Sequence, residues 1–322
     1  MSALQGIRVV DLTHHIAGPT CTMLLGDYGA EVIKIEPMQG DPSRSMNVVN
    51  LGGQRASFFA VNRSKYSIAI DLRKEKGKAL LCKLVAESDV FIENFRPGAA
   101  ERLGLGYGEL SAINSRIVYC SISGFGSRGP YRDRAALDVM MQAMGGVMSI
   151  TGNEDGEPLP CGAPIADFIS GMQGVIGILL ALQARERTGK GQKVEATMLN
   201  GMMSAMNIRL AQFWGTGVDL KRQGGGHAQQ MPYGTFHAAD KPFVIAITTG
   251  AFWTKFCESI DRVDLESNPS YATIPQRAKN AKALREELNS WFKRHNRDFW
   301  LSKLISAGLP CSPVTVSYTH LT

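Results

Sequence analysis

The sequence of 322 residues has no long run of like-charged or of apolar residues. Its 35 Lys and Arg against 29 Asp and Glu give a net charge of +6, but the basic residues are scattered, so a nucleic-acid groove is not expected. No uninterrupted stretch of 18 apolar residues occurs, and no basic N-terminal region precedes an apolar segment. We therefore predict no membrane span and no secretion signal, and a cytoplasmic location.

Cysteine patterns typical of metal or redox sites are also missing. There is no CxxC pair and no Cys/His cluster, so no metal site is predicted. We expect mostly buried free thiols in a reducing compartment at the six widely spaced cysteines, which are Cys21, Cys82, Cys120, Cys161, Cys257 and Cys311.

The first half of the sequence alternates between strand and helix patterns. Gly6–Leu12 predicts a buried strand, Ala17–Gly29 a helix and Glu31–Glu36 a second strand. The alternation continues through the segments Ser67–Leu72, Lys74–Glu87, Asp89–Glu93 and Ile117–Ile122. This order is typical of an α/β, Rossmann-like domain with a parallel sheet. The first strand-to-helix turn lacks GxGxxG, which argues against a dinucleotide ligand.

The second half predicts helices over 137–148, from Asp167 to Glu186, and up to Trp214, followed by a change in composition. We predict a large domain over 1–214 and a glycine-rich linker or flap over 215–226. A smaller α+β domain should follow over 227–314, with a hairpin at Thr235–Ile247. Residues 315–322 resemble a truncated or non-native tail.

Seven short motifs occur in an order that resembles the family III CoA-transferases, the group that includes formyl-CoA, carnitine and succinate:dicarboxylate CoA-transferases. Each motif is weak alone, but together they occur in the same order over residues 11–192. They are DLTHHIAGP (11–19), LGDYGAEVIKIE (25–36), NRSKYSI (62–68), ENFRPG (93–98), SISGFG (121–126), IADFISG (165–171) and TGKGQ (188–192).

The resemblance implies a Rossmann-like large domain, a smaller domain and two subunits interlocked as rings in a homodimer. It also implies that a CoA thioester is a substrate and that no cofactor is permanently bound. The partners would then be an acyl-CoA and a carboxylic acid, without nucleic acid or membrane.

The resemblance assigns the catalytic nucleophile to Asp167. A carboxylate can carry an acyl group and then CoA, through a mixed anhydride and an aspartyl thioester. By itself, an Asp at the start of a helix is more often an N-cap, and we expect Asp167 to serve in both roles. A helix N-terminus should also keep its carboxylate ionised. Gly162, Gly171 and Gly174 either leave room for the thioester or serve helix packing.

The CoA site implied by the resemblance lies at the carboxyl ends of the strands, where open parallel sheets usually bind ligands. Arg is suited to phosphate, because its planar guanidinium donates two parallel hydrogen bonds. The residues assigned to CoA are His14, His15, Ile16, Ala17, Ile70, Asn94, Phe95, Arg96 and Arg102, with Arg102 expected on a phosphate.

A glycine run, Gly224, Gly225 and Gly226, precedes His227. Composition alone favours a flexible linker, whereas the resemblance implies a mobile flap that closes over the reacting groups. Arg209, Arg222 and His227 are candidates for binding a second carboxylate of the substrate.

Two alternatives remain. An α-methylacyl-CoA racemase or epimerase would share the fold but needs a His in a Gly-His-Asp segment, and Leu137 occupies that position before Asp138. A non-catalytic CoA-binding protein would be expected to lack the nucleophile, whereas Asp167 is present.

Overall fold

The computed structural model describes residues 2–45 and 49–316, and the chain divides into two compact units. Within the described residues, the first unit comprises Met1–Ser149 and Leu159–Leu220, and the second comprises Ile150–Pro158 and Lys221–Thr322. The predicted tail at 315–322 lies outside the described residues from position 317 onward.

The first unit is built on a six-stranded sheet in which every paired strand is parallel. The strands of this unit are β1 Arg8–Asp11, β2 Glu31–Glu36, β3 Asn50–Leu51, β4 Gln54–Arg55, β5 Lys65–Ala69, β6 Val90–Glu93, β7 Val118–Ser123 and β8 Lys193–Thr197. The sheet order is β5-β2-β1-β6-β7-β8. Strands β3 and β4, of two residues each, form a separate two-stranded antiparallel ribbon. Strands β2 and β5 lie on one side of β1, and the later strands β6, β7 and β8 lie on the other. The strand order therefore reverses at β1, which is the switch point of the topology.

Helices cover both faces of this sheet. They are α1 Ala17–Asp27, α2 Ala56–Asn62, α3 Glu75–Ala86, α4 Ala99–Arg102, α5 Tyr107–Ile113, α6 Asp138–Met144, α7 Val147–Ile150, α8 Ile165–Thr188, α9 Met198–Ala205 and α10 Asn207–Thr216. Alternate residues of a strand point to opposite faces, so Val9 packs with α1 and α8 while Val10 packs with α3 and α5. The predicted α/β layout with a parallel sheet is confirmed.

The helix predicted over 137–148 is interrupted. Helix α6 ends before Gly145 and Gly146, and Gly146 has a φ of 84°, a conformation that favours glycine. A Cβ on Gly145 would lie 2.3 Å from the Cβ of Met202, so this turn also allows close packing against α9. The helix predicted to end at Trp214 is likewise divided, because α9 and α10 meet at Met206.

One described helix, α8, is long and apolar enough to cross a membrane by length and composition alone. The sequence prediction missed this property because polar residues interrupt the apolar run. In the structure α8 packs along α1 and the sheet, and Ala166, Ile178 and Ala181 are fully buried. The observed packing is that of a core helix.

The second unit contains an antiparallel sheet and a separate apolar core. Its strands, in the order β11-β10-β9, are β9 Tyr233–His237, β10 Pro242–Ala246 and β11 Cys311–Pro313. Its helices are α11 Gly250–Ser259, α12 Val263–Ser267, α13 Ile274–Lys279, α14 Ala281–Phe292 and α15 Arg297–Ser306. Phe236, Phe243 and Phe292 are fully buried in this core. The predicted hairpin is confirmed as β9 and β10.

The segment Ile150–Pro158 departs from the continuous large domain predicted over 1–214. It belongs to the second unit, where Arg222 donates hydrogen bonds to the carbonyls of Asn153 and Gly156. Gly224 N–H also donates to the carbonyl of Gly152, at 2.9 Å. These contacts join segments about 70 residues apart in sequence, a pairing that local patterns do not reveal.

The six cysteines are all free. Cys21, Cys120 and Cys257 are buried as expected, whereas Cys161 is exposed. Cys161 lies in the loop before α8, where its backbone N–H donates to Gln142 Oε1.

Candidate active site

A cavity of about 280 Å³ opens beside the switch point of the parallel sheet. It lies at the carboxyl ends of four neighbouring strands, with Leu12 and His14 after β1, Ile70 after β5 and Phe95 after β6. The carboxyl end of β2 contributes Ile35 through Gln39. The structure thus brings together three residues predicted for CoA, His14, Ile70 and Phe95, from distant parts of the sequence.

The loop after β1 is fixed by side chains from neighbouring elements. Asn94 accepts a hydrogen bond from His14 N–H and donates one to the His14 carbonyl, both at 2.8 Å. The His14 ring lies 5.7 Å from the ring of Phe95, centroid to centroid. Burial lowers the pKa of His14 and so favours the neutral imidazole. Asn94, which was predicted to contact CoA, therefore holds the backbone of the loop at His14 through these two hydrogen bonds.

The residues after His14 lead into the first turn of α1. His15 has a φ of 65°, unusual for a residue with a side chain, and its side chain is exposed. Ile16 is the N-cap residue of α1, and Ala17 is buried. A Cβ on Gly171 of α8 would lie only 2.7 Å from the carbonyl oxygen of Ala17, so this loop approaches α8 very closely.

Sequence reasoning missed part of the cavity wall. The missed residues are Glu36, which ends β2, Pro37, Met38 and Gln39, which follow it, and Asp71, Leu72 and Arg73, which come after β5. Arg73 is well exposed and pairs with Asp71 at 2.9 Å, which places a cation at the cavity. Both segments lie at the carboxyl ends of parallel strands, and this position in the sequence could have indicated that they line the cavity.

Arg96 and Arg102 do not line this cavity. Arg96 is exposed and lines a separate cavity of about 30 Å³ with Ser121, Ser123 and Lys193. Arg102 is exposed at the end of the short helix α4. Neither forms an ion pair with another residue in the described ranges, so both guanidinium groups remain accessible to an anion.

Asp167 lies in the first turn of α8, two residues after Ile165 begins the helix. The prediction that it is the N-cap is wrong, because Pro164 occupies that position. A side chain from α6 takes over the capping: Asp138 Oδ1 accepts hydrogen bonds from the N–H groups of Ala166 and Asp167, at 2.8 and 3.2 Å. Asp138 Oδ2 in turn accepts from Gln142 Nε2 at 2.5 Å.

Asp138 also changes the electrostatics of the site. Burial raises the pKa of Asp167, and the negative charge of Asp138 raises it further, to about 6. These two effects outweigh the helix dipole, so the pKa of Asp167 is raised rather than lowered. The carboxylate is nevertheless mostly ionised at pH 7, as expected. The result is a half-buried carboxyl group that titrates near neutral pH.

Asp167 and Gly171 are one helical turn apart and share a face of α8. Since Gly171 lies against Ala17, Asp167 lies on the side of α8 that faces the start of α1. Gly174 serves the same packing, since a Cβ there would lie 3.0 Å from Cys21 Sγ, whereas Gly162 has open space. The contact between α8 and α1 therefore involves the face of α8 that carries Asp167.

The glycine run lies in the second unit as a hydrogen-bonded turn. Gly225 carbonyl accepts from Thr235 N–H at 2.7 Å, and Gly224 N–H donates to Gly152. A Cβ on Gly234 would lie 1.8 Å from that Gly225 carbonyl, so glycine is required at 234. Gly226 N–H donates to the carbonyl of Gln223, and the His227 ring lies 4.9 Å from the ring of Tyr233.

Over residues 2–45 and 49–316, no three His, Cys, Asp or Glu side chains form a group that could hold a metal ion. Leu137, at the position where the racemase alternative needs a His, is 67% exposed and carries no proton donor or acceptor.

Comparison with known proteins places this chain in a family. The model of CoA-transferase family III matches residues 4–319. Acetyl-CoA:oxalate CoA-transferase of Acetobacter aceti is 38% identical over 96% of this chain and 80% of its own length. Succinyl-CoA:glutarate CoA-transferase of Mus musculus is 35% identical over 98% of this chain and 72% of its own length.

A solved structure agrees with these relatives. The crystal structure of a CaiB/BaiF family protein from Brucella suis has a TM-score of 0.89 and 38% identity, covering 98% of this chain and 84% of that one. The family model and the named relatives define the class of this chain, an enzyme that acts on acyl-CoA thioesters. More particularly, the chain belongs to CoA-transferase family III and is a CoA-transferase.

Proposed function

We propose that the chain transfers CoA from an acyl-CoA to a carboxylic acid, with Asp167 as the nucleophile. The observation that carries this proposal is the carboxyl group in the first turn of α8, half-buried and with a pKa raised to about 6. A carboxylate of higher basicity is a better nucleophile, and it is still largely ionised at pH 7. The close contact of α8 with the β1–α1 loop supports a location beside the CoA site.

The proposed reaction consists of four displacements. Asp167 attacks the thioester carbonyl of the donor, the C–S bond breaks, and CoA leaves as thiolate from an aspartyl acyl anhydride. The thiolate attacks the aspartyl carbonyl of that anhydride, which releases the donor acid and leaves an aspartyl-CoA thioester. The acceptor carboxylate attacks this thioester and releases thiolate from a second anhydride. Thiolate then attacks the acceptor carbonyl, forming the new acyl-CoA and restoring Asp167.

The nucleotide part of CoA is proposed to occupy the cavity lined by His14, Ile70 and Phe95. Its apolar wall suits an adenine ring, and Arg73 adds a cation nearby. The accessible guanidinium groups of Arg96 and Arg102 support roles with phosphate groups. The positions of His15, Ile16 and Ala17 at the start of α1 support contacts nearer the reacting end of CoA.

A small dicarboxylic acid is the proposed acceptor class, because the named relatives act on oxalate and glutarate. The suggested second-carboxylate role of Arg222 has weak support, since its guanidinium already donates to two backbone carbonyls. Arg209 donates to Gln212, and His227 Nδ1 accepts from Gln229 N–H.

We also propose that Gly224, Gly225, Gly226 and His227 form a mobile flap. The three glycines leave this backbone with few steric restrictions, while the hydrogen bonds at Gly224 and Gly225 define the turn from which movement would begin.

A homodimer is proposed on the basis of exposed apolar side chains along α8. Phe168, Met172, Ile176 and Leu180 are 48%, 43%, 55% and 64% exposed. Their spacing of four residues puts them on one face of the helix, and contiguous apolar patches of this kind are typical of interfaces.

The proposal is tested by CoA exchange. Succinyl-CoA is mixed with an isotope-labelled panel of oxalate, glutarate and mesaconate, and the new thioesters are measured by mass spectrometry. Asp167→Asn should lower the rate by roughly a thousandfold or more, because the nucleophile is lost. Asp219→Asn, at an exposed carboxylate of the same unit, is the matched control and should exchange normally. Normal exchange by Asp167→Asn contradicts the proposed role.

A further inference from the structure

Four charged side chains are buried together beneath the loop after β1. Asp11 and Lys34 are 0% exposed, Asp41 is 2% exposed, and the side chain of Lys65 is 2% exposed. Lys34 pairs with Asp41 at 2.8 Å, and Lys65 pairs with Asp11 at 3.2 Å. Burying charges is unfavourable, and replacing such pairs with apolar side chains often increases stability. A contribution to stability therefore does not explain why these four charged side chains are buried here.

The cluster satisfies every polar group of Thr13. Thr13 N–H and its hydroxyl both donate to Asp11 Oδ1, at 2.8 and 2.5 Å. Lys34 Nζ donates to the Thr13 carbonyl at 2.7 Å. Lys34 comes from the neighbouring strand β2, so its ammonium group ties the loop to the part of the sheet that also supplies a wall of the cavity.

The loop needs this support because its conformation is strained. His14, the next residue, lines the cavity, and His15 has its φ at 65°. Left-handed backbone at such a residue is unfavourable unless its surroundings fix it. Asn94 fixes His14, and Lys34 fixes the peptide that joins Thr13 to His14.

We propose that Lys34 is a positioning residue for CoA: through the Thr13 carbonyl it holds His14 in the orientation that forms the cavity wall. This inference rests on the proposed CoA site at the carboxyl end of β1. Loss of the Lys34 contact should weaken CoA binding while the chemistry at Asp167 continues once CoA is bound.

The test removes the ion pair without leaving a buried charge. The double variant Lys34→Met/Asp41→Asn deletes both charges together, whereas Lys34→Met alone would leave Asp41 buried and unpaired. The amide introduced at position 41 retains an oxygen for the two hydrogen bonds that Asp41 accepts from Ser43. The Asp11–Lys65 pair remains. The control is Lys78→Met/Glu75→Gln, which removes a pair 3.5 Å apart on α3 in which Glu75 is exposed and Lys78 is half-buried.

Binding of free CoA is measured by calorimetry, and acyl-CoA kinetics by exchange. For the double variant we expect the Kd of CoA and the KM of acyl-CoA to rise roughly tenfold, the effect of losing one charge-assisted hydrogen bond. The kcat and the KM of the acceptor acid should change by less than about threefold. The control should match the wild type. A folded double variant whose Kd for CoA is within about twofold of the wild type overturns the proposal.

Circular dichroism and thermal melting establish that the double variant is folded. If it does not fold, Lys34→Gln/Asp41→Asn replaces it. The Gln amide at position 34 supplies polar groups to the buried site, but its side chain is too short to reach as far as the Lys34 ammonium. Its Kd for CoA should also rise severalfold, and an unchanged value overturns the proposal. Calorimetry with CoA needs no turnover, so a wild type that binds CoA but shows no exchange counts against the proposed function alone.

Discussion

The carboxyl group of Asp167 is more basic than a surface carboxylate, because burial and the charge of Asp138 both raise its pKa, to about 6. In the proposed reaction a higher pKa makes the Asp167 carboxylate a stronger nucleophile, but it also increases the protonated, unreactive fraction in mild acid. Asp138 thus both caps α8 and raises the pKa of Asp167.

The rate of the first step should therefore depend on pH in the acid range. Attack needs the ionised form of Asp167, whose pKa is about 6, so kcat/KM should fall about tenfold per pH unit below that value. Asp138→Asn removes the neighbouring charge while keeping an oxygen for the cap, so the pKa of Asp167 falls and the acid limb moves to lower pH. The measurement is a pH profile of kcat/KM for acyl-CoA.

Asp133→Asn is the control for this profile, because Asp133 is exposed and its carboxylate pairs with Arg132. Its acid limb should coincide with that of the wild type. If Asp138→Asn also leaves the limb in place, Asp138 does not set the pKa of Asp167.

At the level of elements, the candidate active site depends on the contact between α1 and α8. Gly171 permits this contact, since a Cβ there would lie 2.7 Å from the carbonyl of Ala17. Gly171→Ala should therefore force the helices apart and lower the free energy of unfolding by about 1–3 kcal/mol. Urea denaturation measures the change.

Gly215→Ala, in α10, is the matched control, because no atom lies within 4 Å of the position that its Cβ would take. It should be neutral or stabilising by up to about 1 kcal/mol, since Ala favours helix over Gly. Equal unfolding free energies for the two variants would show that the close approach at Gly171 does not matter.

The sequence predicted the elements of the sheet because their signals are local. The runs rich in β-branched residues at Gly6–Leu12 and Glu31–Glu36 were predicted as strands, and the structure has strands β1 and β2 there. The break at Gly145–Gly146 was missed, since glycine is tolerated inside many helices and its φ depends on packing against Met202.

The candidate site was predictable only in part. Motif resemblance pointed to Asp167, His14, Ile70 and Phe95, and the last three do line one cavity. The partnership of Asp138 with Asp167 joins residues 29 positions apart. The role of Lys34 likewise depends on the pairing of β2 with β1. Such contacts follow from the tertiary fold and leave no local pattern.

At the scale of the whole molecule, the exposed apolar face of α8 should bury itself in the proposed dimer. Light scattering should give a mass twice the chain mass of 35.0 kDa. Ile176→Glu/Leu180→Glu should shift the protein toward the monomer, because a charge in an apolar interface is unfavourable. Leu80→Glu, on the exposed face of α3, is the control and should remain dimeric. A wild type of single-chain mass would contradict the proposed dimer.

The proposed mechanism requires that Asp167 becomes covalently bound during transfer. The direct measurement is to mix the protein with an acyl-CoA, trap with hydroxylamine or borohydride, digest, and sequence the peptides by mass spectrometry. We expect a hydroxamate or a reduced alcohol at Asp167, absent from other carboxyl groups and absent without donor. Active exchange in the same sample with Asp167 unmodified would contradict it.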